Sequence, residues 1–212
     1  HPPPCVAQLE RTAMIRALLT LALLCWGAQA SWAFDLPALY HVIDVADDDV
    51  LNVRAQPDAQ STIIGTLLHN EAGVEVMALS DDGKWGLVNV GETAGWAAIR
   101  FLQRSGAPSG PLHAECGGTE PFWSLSLDAT HVFRDPETGS QPYRHMVELS
   151  SPNTTNSIAV LGNGPGGQMV ATIDARACSD GMSDRAYGLS IGLVLTGNDG
   201  PRYLTGCCSL AP

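Results

Sequence analysis

The feature that most constrains this chain is a two-residue alternation of apolar and small or polar side chains, repeated in short runs that never yield a sustained 3.6-residue period. Leu189, Ile191, Leu193 and Leu195 alternate with Ser190, Gly192, Val194 and Thr196; Trp123, Leu125 and Leu127 alternate with Ser124 and Ser126; Leu51, Val53 and Ala55 alternate with Asn52 and Arg54. Successive side chains on a strand point to opposite faces, so each run reads as a half-buried strand. Asp81-Asp82-Gly83, Asp135 to Gly139 and Asn163 to Gly167 separate such runs with residues that favour turns. The expected fold class is all-β, with a small barrel at 40–104 and an antiparallel barrel or sandwich of about seven strands at 112–212. Between them, Ser105 to Pro111 is small, polar and hostile to helix, the composition of a linker at 105–111.

Charge narrows the partners. A formal charge of −11 and a pI near 4.7 leave no cationic face with which to hold a phosphate backbone or an anionic lipid surface. Nucleic acid is therefore not an expected partner.

The start of the chain carries an address. Residues 1–13 are proline-led and aperiodic, and read as translated upstream sequence ahead of a start at Met14. Arg16, the apolar run Ala17 to Trp26, and the small residues of Ala28-Gln29-Ala30 and Ser31-Trp32-Ala33 then have the layout of a signal peptide at 14–33, cleaved after Ala33. The run is about half the ~20 apolar residues that a membrane span requires, so the expected location is the periplasm, with no span in the mature chain. Cleavage removes Cys5 and Cys25 and leaves Cys116, Cys178, Cys207 and Cys208, an even set in an oxidising compartment. Adjacent strand residues face opposite sides, so Cys207 and Cys208 each need a separate partner, which leaves two pairing schemes open. No Cys-x-x-Cys spacing occurs, and neither a metal nor a cofactor is expected.

Leu51-Asn52-Val53-Arg54-Ala55-Gln56-Pro57, Ile64-Gly65-Thr66-Leu67, Lys84-Trp85-Gly86-Leu87-Val88 and Gly95-Trp96-Ala97-Ala98 follow one another in an order and spacing that resemble a bacterial SH3-like domain at 40–104. The resemblance implies a small β-barrel that serves exported proteins as a targeting or binding module for cell-wall peptides or glycans. Tyr40, Trp85 and Trp96 are the candidate binding aromatics. Asp48, in the acidic tip 47–49, is the candidate carboxylate, a combination suited to cationic or amide-rich peptides.

In the second half, Gly118 to Trp123, Cys178 to Tyr187 and Gly206-Cys207 resemble a proteobacterial family of secreted or envelope-associated proteins whose activity is uncharacterised. Its members commonly carry one cysteine by the Ser-Asp-Gly-Met motif and one in the final Gly-Cys. The resemblance thus implies Cys178 with Cys207, leaving Cys116 with Cys208. Glu120, Asp180, Asp184 and Arg185, with Trp123 and Tyr187 nearby in the motifs, form a second candidate site. They could bind a polar ligand or perform acid–base chemistry if one carboxylate were desolvated. The favoured reading is structural, with Arg185 paired to Glu120 and the aspartates making turn hydrogen bonds.

Nucleophile elbows, zinc-protease helices, phosphate loops and dinucleotide fingerprints are absent from the sequence. The expected function is non-enzymatic binding in the envelope, the SH3-like module recognising a cell-wall peptide or glycan or an envelope protein. The alternative is an envelope hydrolase or stress factor that uses the carboxylates of the second half.

Overall fold

A computed structural model describes residues 35–106, 110–197 and 200–212. Residues 33–212 form one compact unit. The leader read at 14–33, the upstream stretch before it and residues 107–109 of the linker lie outside the described residues.

The first part is built from β1 (Ala38–Val42), β2 (Val50–Arg54), β3 (Ile63–Leu68), β4 (Ala72–Val76), β5 (Ala78–Leu79), β6 (Trp85–Val90), β7 (Thr93–Ala98) and β8 (Leu102–Arg104), with a 3-10 turn at Ile99–Phe101 before β8. Two antiparallel sheets form, β4-β1-β8 and β3-β2-β7-β6-β5. Val42, Leu51, Val53, Val76, Val88 and Ala97 make the core between them. Val53 and Ala97 are directly opposed across β2 and β7, so the alternation read from the sequence becomes one buried and one open face.

The second part is an eight-stranded closed barrel of β9 (Ala114–Thr119), β10 (Phe122–Leu127), β11 (Thr130–Asp135), β12 (Gly139–Ser150), β13 (Ser157–Gly164), β14 (Gly167–Cys178), β15 (Tyr187–Thr196) and β16 (Arg202–Leu210). Each strand pairs antiparallel with the next, and β9 closes the ring between β10 and β16. The sequence expectation of about seven strands lacked β9. Its inward residues are Ala114, Cys116 and Gly118, too small to mark a strand by apolar alternation. Among the described residues no α-helix is present.

Eight strands enclose a space that side chains can fill, and here Leu125, Phe133, Tyr143, Met169, Ile173 and Leu193 fill it, each at most 1% exposed. Trp123 enters the same interior and stacks on Phe133 with ring centroids 6.1 Å apart. Gly118 and Gly206 make room for its indole; a Cβ at Gly118 would lie 2.2 Å from Trp123 Nε1, and one at Gly206 2.9 Å from its Cζ2. His131 is wholly buried beside His145, with Nε2 of the first 3.2 Å from Nδ1 of the second. Burial, with His145 next to it, pushes its pKa down to about 4, so the ring is neutral at pH 7. At one end, Arg202 Nη1 donates to Asp135 Oδ2 at 2.6 Å, joining β11 to β16.

Both disulfides have the pairing implied by the resemblance. Cys116–Cys208 joins directly opposed residues of β9 and β16, while Cys178–Cys207 fastens the end of β14 to β16. With sequence separations of 92 and 29 residues, the chain-entropy model assigns them about 4.6 and 3.6 kcal/mol respectively.

Unit 33–212 is continuous because the two parts hydrogen-bond to each other. Asp184 forms a parallel bridge with Thr93, and Ala94 N–H donates to its carbonyl at 3.1 Å. Asn89 Nδ2 donates to the Ala186 carbonyl at 2.9 Å, and Ala186 N–H donates back to Asn89 Oδ1 at 3.0 Å. Arg185 Nη1 reaches the Gly91 carbonyl at 2.7 Å. A second contact comes from the end of β16, where Leu210 N–H donates to Glu75 Oε1 of β4 at 2.9 Å. Burial pushes the Glu75 carboxyl up to about 7, against the opposing pull of the Leu210 N–H, the Ser209 hydroxyl and the Arg185 guanidinium.

Two predictions follow from this packing. Gly118→Ala should lower stability by roughly 2 kcal/mol or more, because neither the indole nor the Thr205 carbonyl 2.7 Å away can retreat from the new methyl. Gly83→Ala, at φ +68° in open space, should lose only about 1 kcal/mol; equal urea-unfolding losses would contradict the packing argument. For Glu75, the folded chain keeps a proton that the unfolded chain releases between its ordinary 4.5 and about 7. Its contribution therefore favours the folded state below pH 4.5 and is lost as pH rises to about 7, by on the order of 3 kcal/mol. Unfolding free energies at pH 5 and pH 7.5 should differ by less in Glu75→Gln than in the wild type, and identical pH dependence would refute the assignment.

Candidate functional site

The open face of the five-stranded sheet positions the first candidate residues. Gly86 and Val88 of β6 and Gly95 and Ala97 of β7 are buried, so Trp85, Leu87, Trp96 and Ala98 turn away from the core. Trp85 lies opposite Ala98, and Trp96 lies opposite Leu87 and Arg54. Both tryptophans thus share one face, two residue pairs apart along the ladder.

Beside Trp85 is a cleft of about 280 Å³ that extends to the loop after β1 and the 3-10 turn. Its walls include Trp85, Phe101, Asp44, Asp49, Arg54 and Arg100. The Arg100 guanidinium lies 4.6 Å over the Phe101 ring, while Arg54 Nη1 is fixed by the Ser61 carbonyl at 2.6 Å. Asp49 sits in a turn closed by its own N–H to the Ala46 carbonyl at 2.9 Å, and its Oδ1 accepts the Val50 N–H at 2.8 Å. Asp44 holds φ at 56°, a left-handed conformation that aspartate tolerates better than most residues. An aromatic wall with two guanidiniums and two carboxylates can engage a peptide that carries both kinds of charge.

Of the residues singled out from sequence, Trp85 lines this cleft. Trp96 is on the same face outside it. Tyr40 is half-buried against the core, and Asp48 is exposed on the loop whose neighbour Asp49 reaches the cleft. Arg54, Arg100 and Phe101 were not singled out. Arg54 shares the outward parity of Asn52 on β2, a signal that was available; Arg100 and Phe101 lie in a 3-10 turn without periodicity.

The second set is distributed over several roles. Glu120 is exposed at the β9–β10 turn, and Trp123 belongs to the barrel interior. Asp180 organises the loop after β14. Its Oδ1 accepts the Met182 and Ser183 N–H groups, each at 3.0 Å, and its Oδ2 accepts the Ser183 and Tyr187 hydroxyls at 2.8 and 3.2 Å. The Ser183 and Met182 amides, with these hydroxyls, hold its pKa down to about 2, so it is a fixed anion at neutral pH. The Arg185 guanidinium lies 6.0 Å from the Tyr187 ring centroid and bonds to Gly91 of the first part. The pairing of Arg185 with Glu120 favoured from sequence is not formed. Asp184 is engaged through its backbone in the bridge to Thr93. Among the described residues no group of three or more His, Cys, Asp or Glu could hold a metal ion, and no helix is long and apolar enough to cross a membrane.

Comparison with curated proteins returned no match. A family model matches residues 49–103, from the cleft residue Asp49 through the 3-10 turn into β8, and does not extend to the eight-stranded barrel; the segment 49–103 is a bacterial SH3 domain.

Proposed function

We propose that this chain is an exported, non-enzymatic envelope protein whose SH3 domain binds a cell-wall peptide in the cleft beside Trp85. The carrying observation is that this cleft, with its aromatic wall and paired opposite charges, lies on a bacterial SH3 domain, a module commonly used for cell-wall components. Peptides of the wall bear free amino and carboxylate groups, which Asp44, Asp49, Arg54 and Arg100 complement. Two disulfides fit an extracellular or envelope address. A signal peptide at 14–33 with cleavage after Ala33, delivery to the periplasm, and a wall glycan or an envelope protein as the ligand are finer parts of the same proposal. Trp96 would extend the binding face beyond the cleft, with Asp48 on the neighbouring loop, whereas Tyr40 packs against the core.

The full chain should be retained on isolated peptidoglycan at physiological salt, and Trp85→Ala should weaken retention by at least tenfold while leaving the circular-dichroism spectrum and the unfolding midpoint near wild type. Retention of the wild type that Trp85→Ala does not change would move the binding elsewhere, and no retention at all would refute the proposal.

A further inference from the structure

The outer surface of a closed barrel is convex, yet across β9, β14, β15 and β16 this barrel carries a polar groove of about 390 Å³. Its origin is a run of small side chains at outward positions. Ser190 and Gly192 on β15 lie between Asp174 and Thr172 of β14 and Cys207 and Thr205 of β16, and Gly117 of β9 opposes Cys207. Longer residues at 190, 192 and 117 would fill the hollow. A Cβ at Gly192 alone would come within 3.0 Å of Thr172 Oγ1 and 3.1 Å of Tyr203 Oη. The loop containing Asp180 and the turn containing Glu120 complete the wall.

The polar groups in this groove are only partly engaged with the protein. Arg176 is exposed and is oriented by its Nε donating to Ser190 Oγ at 2.6 Å. The Thr172 hydroxyl donates to the Gly192 carbonyl at 3.2 Å and retains acceptor capacity. Neither the Asp174 nor the Glu120 carboxylate has a hydrogen-bond or ion-pair partner among the described residues. Tyr203 is 69% exposed although its ring rests against Gly192, 3.4 Å from the position of a Cβ there. The groove therefore presents an exposed aromatic face beside planar carboxylate and guanidinium groups and hydroxyls. Saccharides present the complementary pattern, with an apolar ring face that stacks on an aromatic and vicinal hydroxyls that bridge planar polar groups. The carboxylates of Asp174, Glu120 and Asp180 outnumber the one guanidinium of Arg176, which disfavours acidic sugars.

We propose that this groove is a second binding site, independent of the SH3 cleft, for a neutral or amino-sugar oligosaccharide stacked on Tyr203. The test is titration of the full chain with the β-1,4-linked trimer of N-acetylglucosamine, followed by calorimetry and by amide chemical shifts, with trigalacturonate as the acidic probe. Saturable binding of the neutral trimer, shifts at residues 172–176, 190–192 and 203–205, and at least tenfold weakening by Tyr203→Ala are expected. Trp85→Ala should leave this binding within twofold of wild type. Tyr203→Ala removes an exposed ring and should keep the unfolding midpoint; if it does not, Tyr203→Leu, which keeps the bulk and loses the aromatic face, gives the same reading. No binding at millimolar trimer, binding unchanged by either Tyr203 variant, binding lost in Trp85→Ala, or equal affinity for trigalacturonate would each overturn the proposal. The SH3 reading would survive every one of these results, because it is tested by the dependence of peptidoglycan retention on Trp85.

Discussion

The contact on which the arrangement of unit 33–212 depends is the short backbone clasp from Asp184 to Ala186. β7 begins at Thr93 after the turn from β6, where a free amide such as that of Ala94 would otherwise face solvent. Asp184 supplies its carbonyl there, and Asn89 and Ala186 satisfy each other reciprocally. The loop that delivers this clasp is fixed along its length: Cys178 is bonded to Cys207 at its start, and the Asp180 carboxylate gathers four donors in the middle. A segment that carries Asp180, Asp184, Arg185 and Tyr187 is thereby occupied with joining the two parts. The same constraint sets the two proposed binding surfaces on one body, so a wall fragment carrying both peptide and glycan would meet the second site at raised effective concentration.

The larger barrel is filled from within. Its interior is packed by Trp123, Phe133, Tyr143, Met169 and the leucines of β10 and β15, side chains that occupy the space a wider barrel leaves open. What varies on its surface is the size of outward residues, and the glycines at 117 and 192 make a hollow where a closed barrel should bulge. Gly118, one residue along β9 from Gly117, and Gly206 of β16 serve the opposite side by admitting the Trp123 indole. One glycine-rich patch thus has two physical causes, read apart only by the parity of each residue on its strand.

That parity also marks what was legible in the sequence. Alternation at 51–55, 123–127 and 189–195 located strands correctly, since a half-buried strand must show it, and the SH3 segment was legible from ordered motifs. β9 was not, because Ala114, Cys116 and Gly118 bury almost no apolar area. Trp85 reached the cleft, but its charged partners Arg54 and Arg100 come from another strand and a turn, and only folding brings them together. The clasp was least accessible. Asn89 and Ala186 stand 97 residues apart, and the opposite charges of Arg185 and Glu120 suggested an ion pair between two motifs, whereas the guanidinium turns to the Gly91 carbonyl of the first part.

Native-state amide hydrogen exchange on the full chain addresses the clasp most directly. If it joins the barrels, the Ala94, Ala186 and Leu210 amides exchange together and slowly, with protection comparable to that of strand amides in β7 and β16. Exchange of Ala94 and Ala186 at the rate of an open loop, while those strands remain protected, would mean that the two barrels are not held as one body.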